Sequence, residues 1–152
     1  MIEIDTGRFT VAVFKDVAWA RKGLQALTQA GFPAESLTII AKDSPEVAAL
    51  IRESLGADGE TLNLAAIGGV LARGPLVEAL QGADRGLTSH GLARTMRKVG
   101  FLPHDGRIFD TLTGRGGVLV AIRSEPRAAD ALAILHSYGG GNAAIGAWTG
   151  RV

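Results

Sequence analysis

The feature that most constrains the fold is a strand-helix-strand pattern that occurs twice in the chain. The apolar run TVAVF at 10–14 is typical of a buried strand, and KDVAWARKGLQALTQAG at 15–31 follows with apolar residues at helical spacing and a terminal glycine. SLTIIA at 36–41 predicts a second strand. A shift of 108 residues places GVLVAI under FTVAVF, and four positions are identical: Ala20/Ala128, Leu24/Leu132, Leu27/Leu135 and Gly31/Gly139. We therefore expect β-α-β units at about 9–42 and 117–149.

Two such units favour an α+β, ferredoxin-like fold, the split β-α-β arrangement, with a four-stranded antiparallel sheet and two helices on one face. In this fold the segments 10–14 and 117–122 are central neighbours, and the later strand of each unit is an edge. A doubly wound parallel sheet is the alternative, but it needs more strands and a regular strand-helix alternation through the middle. We expect a single domain, 1–152, with a mainly helical insertion at about 44–114.

The insertion contains several residues that are typical of the start or the end of a helix. Ser44 followed by proline and glutamate predicts a helix start. The apolar piece LAAIGGVLA predicts a short strand, and Gly74-Pro75 predicts the start of the helix PLVEALQG. Arg73, the single charge within the apolar run GGVLARGPLV, therefore marks the boundary between two buried elements. Thr88 or Ser89 is a candidate cap for a further helix, and HDGRIFDTLTG predicts the last one before the second unit.

Composition excludes several classes of function. Cysteine is absent, which excludes disulfides and thiolate metal sites and favours the cytoplasm. Sixteen basic residues against fifteen acidic ones, without a dense basic cluster, argue against nucleic-acid binding. The N-terminal segment MIEIDTGRF is acidic where a secretory signal would be basic. The uncharged run at 62–72 is far shorter than the roughly 20 residues that a membrane-spanning helix needs, so no membrane span is expected.

Three segments resemble a bacterial family, the general-stress or heat-induced stress protein domain. They are VAVFKDVAWARKGLQALTQAGFPAESLTIIAKD, GVLARGPLVEAL and GFLPHDGRIFDTLTGRGGVLVAI, which together cover most of the chain. The resemblance implies a ferredoxin-like fold and an association with stress responses. It implies no reaction, because the family has no established catalytic residues to transfer. The centre of this chain is shorter and more charged than the Gly/Ala tracts of many members.

Candidate chemistry is concentrated in PHDGR at 103–107. His104, Asp105 and Arg107 lie beside a glycine there, which suits a small polar site, although a helix entry has the same composition. The three histidines show no metal-ligand spacing, so no metal and no cofactor are predicted. GRGG at 114–117 precedes a strand rather than a helix, which favours a helix stop over a phosphate loop.

Lys15 and Arg123 occupy the exits of the first strands of the two units. Antiparallel neighbours place them at opposite ends of the sheet, so only a second chain or another strand order would join them around an acidic ligand. Solvated charges paired with neighbours are the alternative. Trp19, flanked at helical spacing by lysines, and Trp148, at the end of an edge strand, are candidate interface residues; the alternative is that they close the rim of the core.

Three functions remain open. The first and preferred one is a non-enzymatic stress-associated interaction or scaffold module, expected to form a homo-oligomer such as a dimer, or to bind another protein. The uncovered face of a four-stranded apolar sheet must be covered, either by the helices of the insertion or by another chain. The second is a small-molecule-binding regulatory domain with a ligand at a subunit seam near Lys15 or Arg123. The third is an enzyme that uses His104, Asp105 and Arg107. No catalytic motif supports the third, so an enzyme is not expected.

Overall fold

The computed structural model describes residues 9–83, 85–123, 127–139 and 141–145. The strands are β1 (Phe9–Phe14), β2 (Leu37–Lys42), β3 (Glu60–Leu64), β4 (Gly68–Arg73), β5 (Val118–Arg123) and β6 (Gly141–Ile145). The helices are α1 (Val17–Gln29), α2 (Pro45–Leu55), α3 (Pro75–Gln81), α4 (Gly86–His90), α5 (Leu92–Thr95), α6 (Pro103–Gly114) and α7 (Ala128–Ser137). Two 3₁₀ turns cover Ala34–Ser36 and Met96–Val99.

The six strands form one antiparallel sheet in the order β3-β4-β2-β5-β1-β6. β1 and β5 are immediate neighbours and both are internal strands, with Phe9 opposite Arg123 and Phe14 opposite Val118. The predicted pairing of the first strands of the two units is therefore confirmed, and so is the α+β class. The register also places Lys15, which follows β1, and Arg123 at opposite ends of the sheet, as expected for antiparallel neighbours.

Helices cover both faces of this sheet. On one face, α1, α2 and α7 pack with side chains such as Phe14, Ile39 and Val120 into one core. On the other face, α3 to α6 pack against side chains such as Val11 and Leu119 into a second core. Alternate residues of each central strand enter opposite cores, because successive side chains of a strand point to opposite faces. This explains why β1 and β5 are apolar along nearly their whole length.

The repeat alignment agrees with the buried faces of α1 and α7 in part. Leu27 and Leu135, which the alignment equates, are both fully buried. Gly23 and Ala131, one turn earlier in each helix, are buried as well, whereas Leu132 is only half-buried where its counterpart Leu24 is buried. The two units therefore use the same helical stripe for packing, although not every identical position lies on it.

The position of β2 and the number of strands differ from the prediction. The mainly helical insertion also contains a hairpin of β3 and β4, which lies beyond β2, so the sheet has six strands and β2 is an internal strand rather than an edge. The insertion also supplies α3 to α6, which cover the second face of the sheet. Of the two covers expected for that face, the inserted helices and another chain, the structure therefore shows the first.

The local signals in the insertion are mostly confirmed. Ser44 caps α2 by accepting a hydrogen bond from the backbone N–H of Val47 at 3.1 Å. Pro75 begins α3, and α6 ends at Gly114 before β5, as the helix-stop interpretation of GRGG predicts. The predicted cap at Thr88 or Ser89 is wrong, because both residues lie inside α4, and neither α4 nor α5 has a side-chain cap.

Candidate functional site

A cavity of about 440 Å³ lies at the sheet end where β4 and β5 finish and β2 begins. β4 and β5 flank β2 and run antiparallel to it, so both end near its beginning: the last residue of β4 lies opposite Ile39, and the last residue of β5 follows Ile122, which lies opposite Leu37. These last residues are Arg73 and Arg123, and both line the cavity. The sequence pattern singled out both arginines but did not join them, because they lie on different strands of a register that the sequence does not reveal.

The wall of this cavity is held by the turn between β4 and α3. Gly74 has a φ of 130°, which allows the chain to leave β4 and enter α3 directly. The backbone N–H of Leu76 then donates a hydrogen bond of 2.9 Å to Oγ1 of Thr38, which is fully buried in β2. Pro75, which lacks an N–H, occupies the first helical position. The cavity is thus built on three rigid elements rather than on a loop.

Charges of both signs surround the cavity. Glu35 from the 3₁₀ turn, Glu60 from β3 and Glu78 from α3 line it together with the two arginines. Arg73 donates a hydrogen bond of 3.1 Å from Nη1 to the backbone oxygen of Asp58, and the Arg123 guanidinium lies 5.7 Å from the centre of the buried Phe9 ring. Within the described ranges, none of these five side chains forms an ion pair. Their charges are therefore available to a ligand.

Apolar side chains form the smaller part of the cavity lining. Leu37, Leu55, Ala72, Pro75 and Val77 contribute to it, and all of them except Leu55 are buried, so polar groups make up most of the exposed surface of the cavity. The volume falls within the range of about 300–1,000 Å³ that small-molecule sites occupy, whereas such sites are usually lined mainly by apolar side chains. The cavity therefore suits a small, strongly polar molecule.

The opposite end of the sheet holds Lys15, far from Arg123. Lys15-Asp16 directly follows β1, and Lys42-Asp43 stands where β2 ends. Both strand-to-helix turns therefore contain the dipeptide Lys-Asp. Asp16 accepts a hydrogen bond of 2.9 Å from the backbone N–H of Trp19. The N-termini of α1 and α2 thus already have side-chain caps, from Asp16 and from Ser44. The predicted separation of the two cations is confirmed.

The predicted cluster of His104, Asp105 and Arg107 lies in the first two turns of α6. His104 and Arg107 line a shallow depression with Ile108, Thr111 and Leu112, whereas Asp105 is not part of that lining. The helix-entry interpretation of PHDGR agrees with the structure, because α6 begins at Pro103 and Asp105 lies in its first turn, although Leu102 occupies the N-cap position and makes no side-chain cap. The described residues contain no group of three or more histidine, aspartate or glutamate side chains that could hold a metal ion.

The two tryptophans differ in what the structure shows. Trp19 is 37% exposed in the first turn of α1, and Lys22 Nζ lies 4.5 Å from the centre of its ring. Trp19 is therefore partly exposed beside a lysine, and its role in an interface stays a prediction. Trp148 lies outside the described residues.

Asp110 is a titratable group that the sequence pattern did not single out. It lies on α6 with its Oδ1 atom buried, and that atom has no hydrogen-bond partner in the described part of the chain. Burial disfavours the charged form and raises the pKa of the Asp110 carboxyl above its ordinary value. Asp110 does not line the cavity at the sheet end, so its effect is on stability rather than on that site.

Comparison of the chain with protein-family models, curated proteins and solved structures finds no match in any of the three. The resemblance to the general-stress family therefore remains a prediction from the quoted segments. No helix among the described residues combines the length and apolar character needed to cross a membrane.

Proposed function

We propose that this protein is a non-enzymatic binding domain for a small charged molecule, which occupies the cavity at the end of the sheet. The observation that carries the proposal is that two arginines and three glutamates, none of them in an ion pair with a described residue, meet around one cavity with a mainly polar lining. This is the second function that the sequence left open, with the ligand inside one chain instead of at a subunit seam.

The arginines favour recognition of a carboxylate or phosphate group. A guanidinium presents a planar set of donors that matches two acceptor oxygens at once, and it stays charged at all relevant pH values. Arg73 and Arg123 each extend from the end of a sheet strand, so their backbone positions are fixed. A preorganised site of this kind loses less conformational entropy when a ligand binds.

The test is ligand-dependent thermal stabilisation. Citrate, glutamate, AMP and spermidine together present a polyanion, a zwitterion, a phosphate and a polycation. We expect at least one of them to raise the Tm of the wild type, and Arg123→Gln to abolish that shift. Arg94→Gln, which removes an exposed arginine on α5, is the matched control and retains the shift. The absence of a shift with all four compounds, or an equal shift in Arg123→Gln, contradicts the proposal.

Only the sequence supports a cellular role and a location for this binding. The resemblance to the general-stress family supports a role of the binding in a stress response, and the lack of cysteine supports a cytoplasmic location. Growth of a deletion strain under heat or salt stress, compared with the same strain carrying Arg123→Gln, tests whether ligand binding and stress tolerance are linked. Equal tolerance of the deletion strain and its parent contradicts the stress role and leaves the binding proposal intact.

A second candidate function, self-association, is favoured by the free edge of β3. Asp43 donates a backbone hydrogen bond to the oxygen of Gly69, so the backbone groups of Gly69 face β2, and those of Val70 face β3. Leu62, opposite Val70, therefore bonds to β4, whereas Thr61 and Asn63 direct their backbone groups outward. Two copies related by a two-fold axis at Leu62 would pair Thr61 of each with Asn63 of the other.

Light scattering tests this second candidate. We expect a dimer that Thr61→Pro converts to a monomer, because this substitution removes an outward N–H without removing a bond to β4. A monomeric wild type at high protein concentration contradicts it.

A further inference from the structure

Charged groups of opposite sign lie near one another around the cavity. Glu60 lies opposite Ala72, the neighbour of Arg73, so one side of the cavity carries an acid and a base. Ile122 lies opposite Leu37, which places Arg123 next to the 3₁₀ turn that carries Glu35. Each arginine thus has a glutamate nearby without an ion pair to it, and Glu78 adds a third carboxylate from α3.

A ligand with charge of only one sign fits this arrangement poorly. Three glutamates and two arginines give the lining a formal charge of −1, so an anion that reaches the arginines also approaches three carboxylates. A cation that reaches the glutamates is likewise repelled by the two arginines. Placing like charges side by side costs binding energy, and charges of opposite sign recover it. A molecule that carries both signs avoids both penalties.

We propose that the ligand is a small zwitterion with one carboxylate and one ammonium group, of the size of an amino acid or a dipeptide. The arginines bind the carboxylate and the glutamates bind the ammonium, and Leu37, Pro75 and Val77 supply apolar lining for the rest of the molecule. This assignment rests on the proposed function, because it names the chemical class that the same cavity binds.

Three matched dipeptides separate the contributions of the two charges. Ala-Leu carries both, N-acetyl-Ala-Leu lacks the ammonium, and Ala-leucinamide lacks the carboxylate. We expect Ala-Leu to bind the wild type at least about tenfold more tightly than either derivative in titration calorimetry, since each loses a charge-assisted hydrogen bond. Chemical-shift changes in an NMR titration locate the bound peptide at the residues of the cavity.

Variants assign each charge to its side of the cavity. Arg123→Gln is expected to remove the preference for Ala-Leu over Ala-leucinamide, and Glu78→Gln the preference for Ala-Leu over N-acetyl-Ala-Leu. Both residues are exposed, so both variants are expected to keep the wild-type Tm, and Arg94→Gln keeps both preferences. Binding of N-acetyl-Ala-Leu or Ala-leucinamide as tight as that of Ala-Leu overturns the zwitterion assignment and leaves the proposed function standing. No binding of any dipeptide overturns the assignment as well, and the proposed function is then decided separately by its own test with citrate, glutamate, AMP and spermidine.

Discussion

Oγ1 of Thr38 accepts a hydrogen bond of 2.9 Å from the backbone N–H of Leu76, and both residues are completely buried. This bond joins the start of α3 to β2, an internal strand of the sheet. It satisfies a backbone donor that no earlier turn of α3 can satisfy, since the first N–H groups of a helix lack intrahelical partners. The bond therefore fixes the wall of the cavity on which the proposed function depends.

We predict that Thr38→Val destabilises the protein by about 1–3 kcal/mol, because valine keeps the shape of threonine but leaves the Leu76 N–H buried without an acceptor. Urea denaturation at neutral pH measures the change. Thr61→Val, at an exposed position on β3, is the control and is expected to change stability by less than about 0.5 kcal/mol. Equal stability of the two variants would show that the hydrogen bond to Leu76 contributes nothing.

Gly74 is predicted to tolerate no side chain. A Cβ atom there would overlap with the backbone oxygen of Leu37 and with Thr38, and the φ of 130° is unfavourable for any other residue. Gly116, with a φ of 99° and open space where a methyl group would lie, shares the backbone constraint but not the overlap. Gly116→Ala should cost about 1–2 kcal/mol and Gly74→Ala clearly more. Denaturant midpoints that rank the two variants in the opposite order would refute the packing argument.

The sequence predicted the parts of this fold that depend on local pattern. The apolar runs of β1 and β5, the helical stripe of α1 and the repeat between the two units were sufficient to place the central strand pair. The strand β3 was missed, because no element was predicted for ETLNL, although the alternation of exposed Thr61 and Asn63 with buried Leu62 and Leu64 is the pattern of a half-buried strand. That signal was present in the sequence.

The cavity, in contrast, had no local signal. Arg73 and Arg123 belong to strands that both pair with β2, and only the strand order brings their ends together. The same holds for Glu35, Glu60 and Glu78, which come from three different elements. A single sequence shows each of these charged residues but does not show the register between strands. The candidate residues could therefore be named one by one but not grouped into a site.

The cap of α2 offers a test of a local signal. We predict that Ser44→Ala lowers stability by about 1 kcal/mol, because the N–H of Val47 loses its side-chain acceptor. Ser89→Ala is the matched control: Ser89 was also a candidate cap, but it lies inside α4 and is exposed, so no loss is expected. Thermal unfolding of the two variants separates the two roles, and a loss at Ser89 equal to that at Ser44 would contradict the structure of α4.

Asp110 makes stability depend on pH. Burial raises the pKa of Asp110 in the folded protein above the ordinary 3.8 of the unfolded chain. At a pH between the folded-state and unfolded-state pKa, the folded protein therefore holds a proton that the unfolded chain has released. The contribution of Asp110 to stability therefore falls as the pH rises through this window and is most favourable below it.

The variant Asp110→Asn removes this titration. We expect it to gain stability relative to the wild type as the pH rises from about 3 to about 7, with both proteins measured by urea denaturation. Asp105→Asn, which removes one negative charge from the first turn of the same helix, controls for net charge and is expected to show no such gain, since Asp105 favours the N-terminus of α6. A difference between Asp110→Asn and the wild type that is constant across this pH range would show that the carboxyl of Asp110 titrates alike in the folded and unfolded chains.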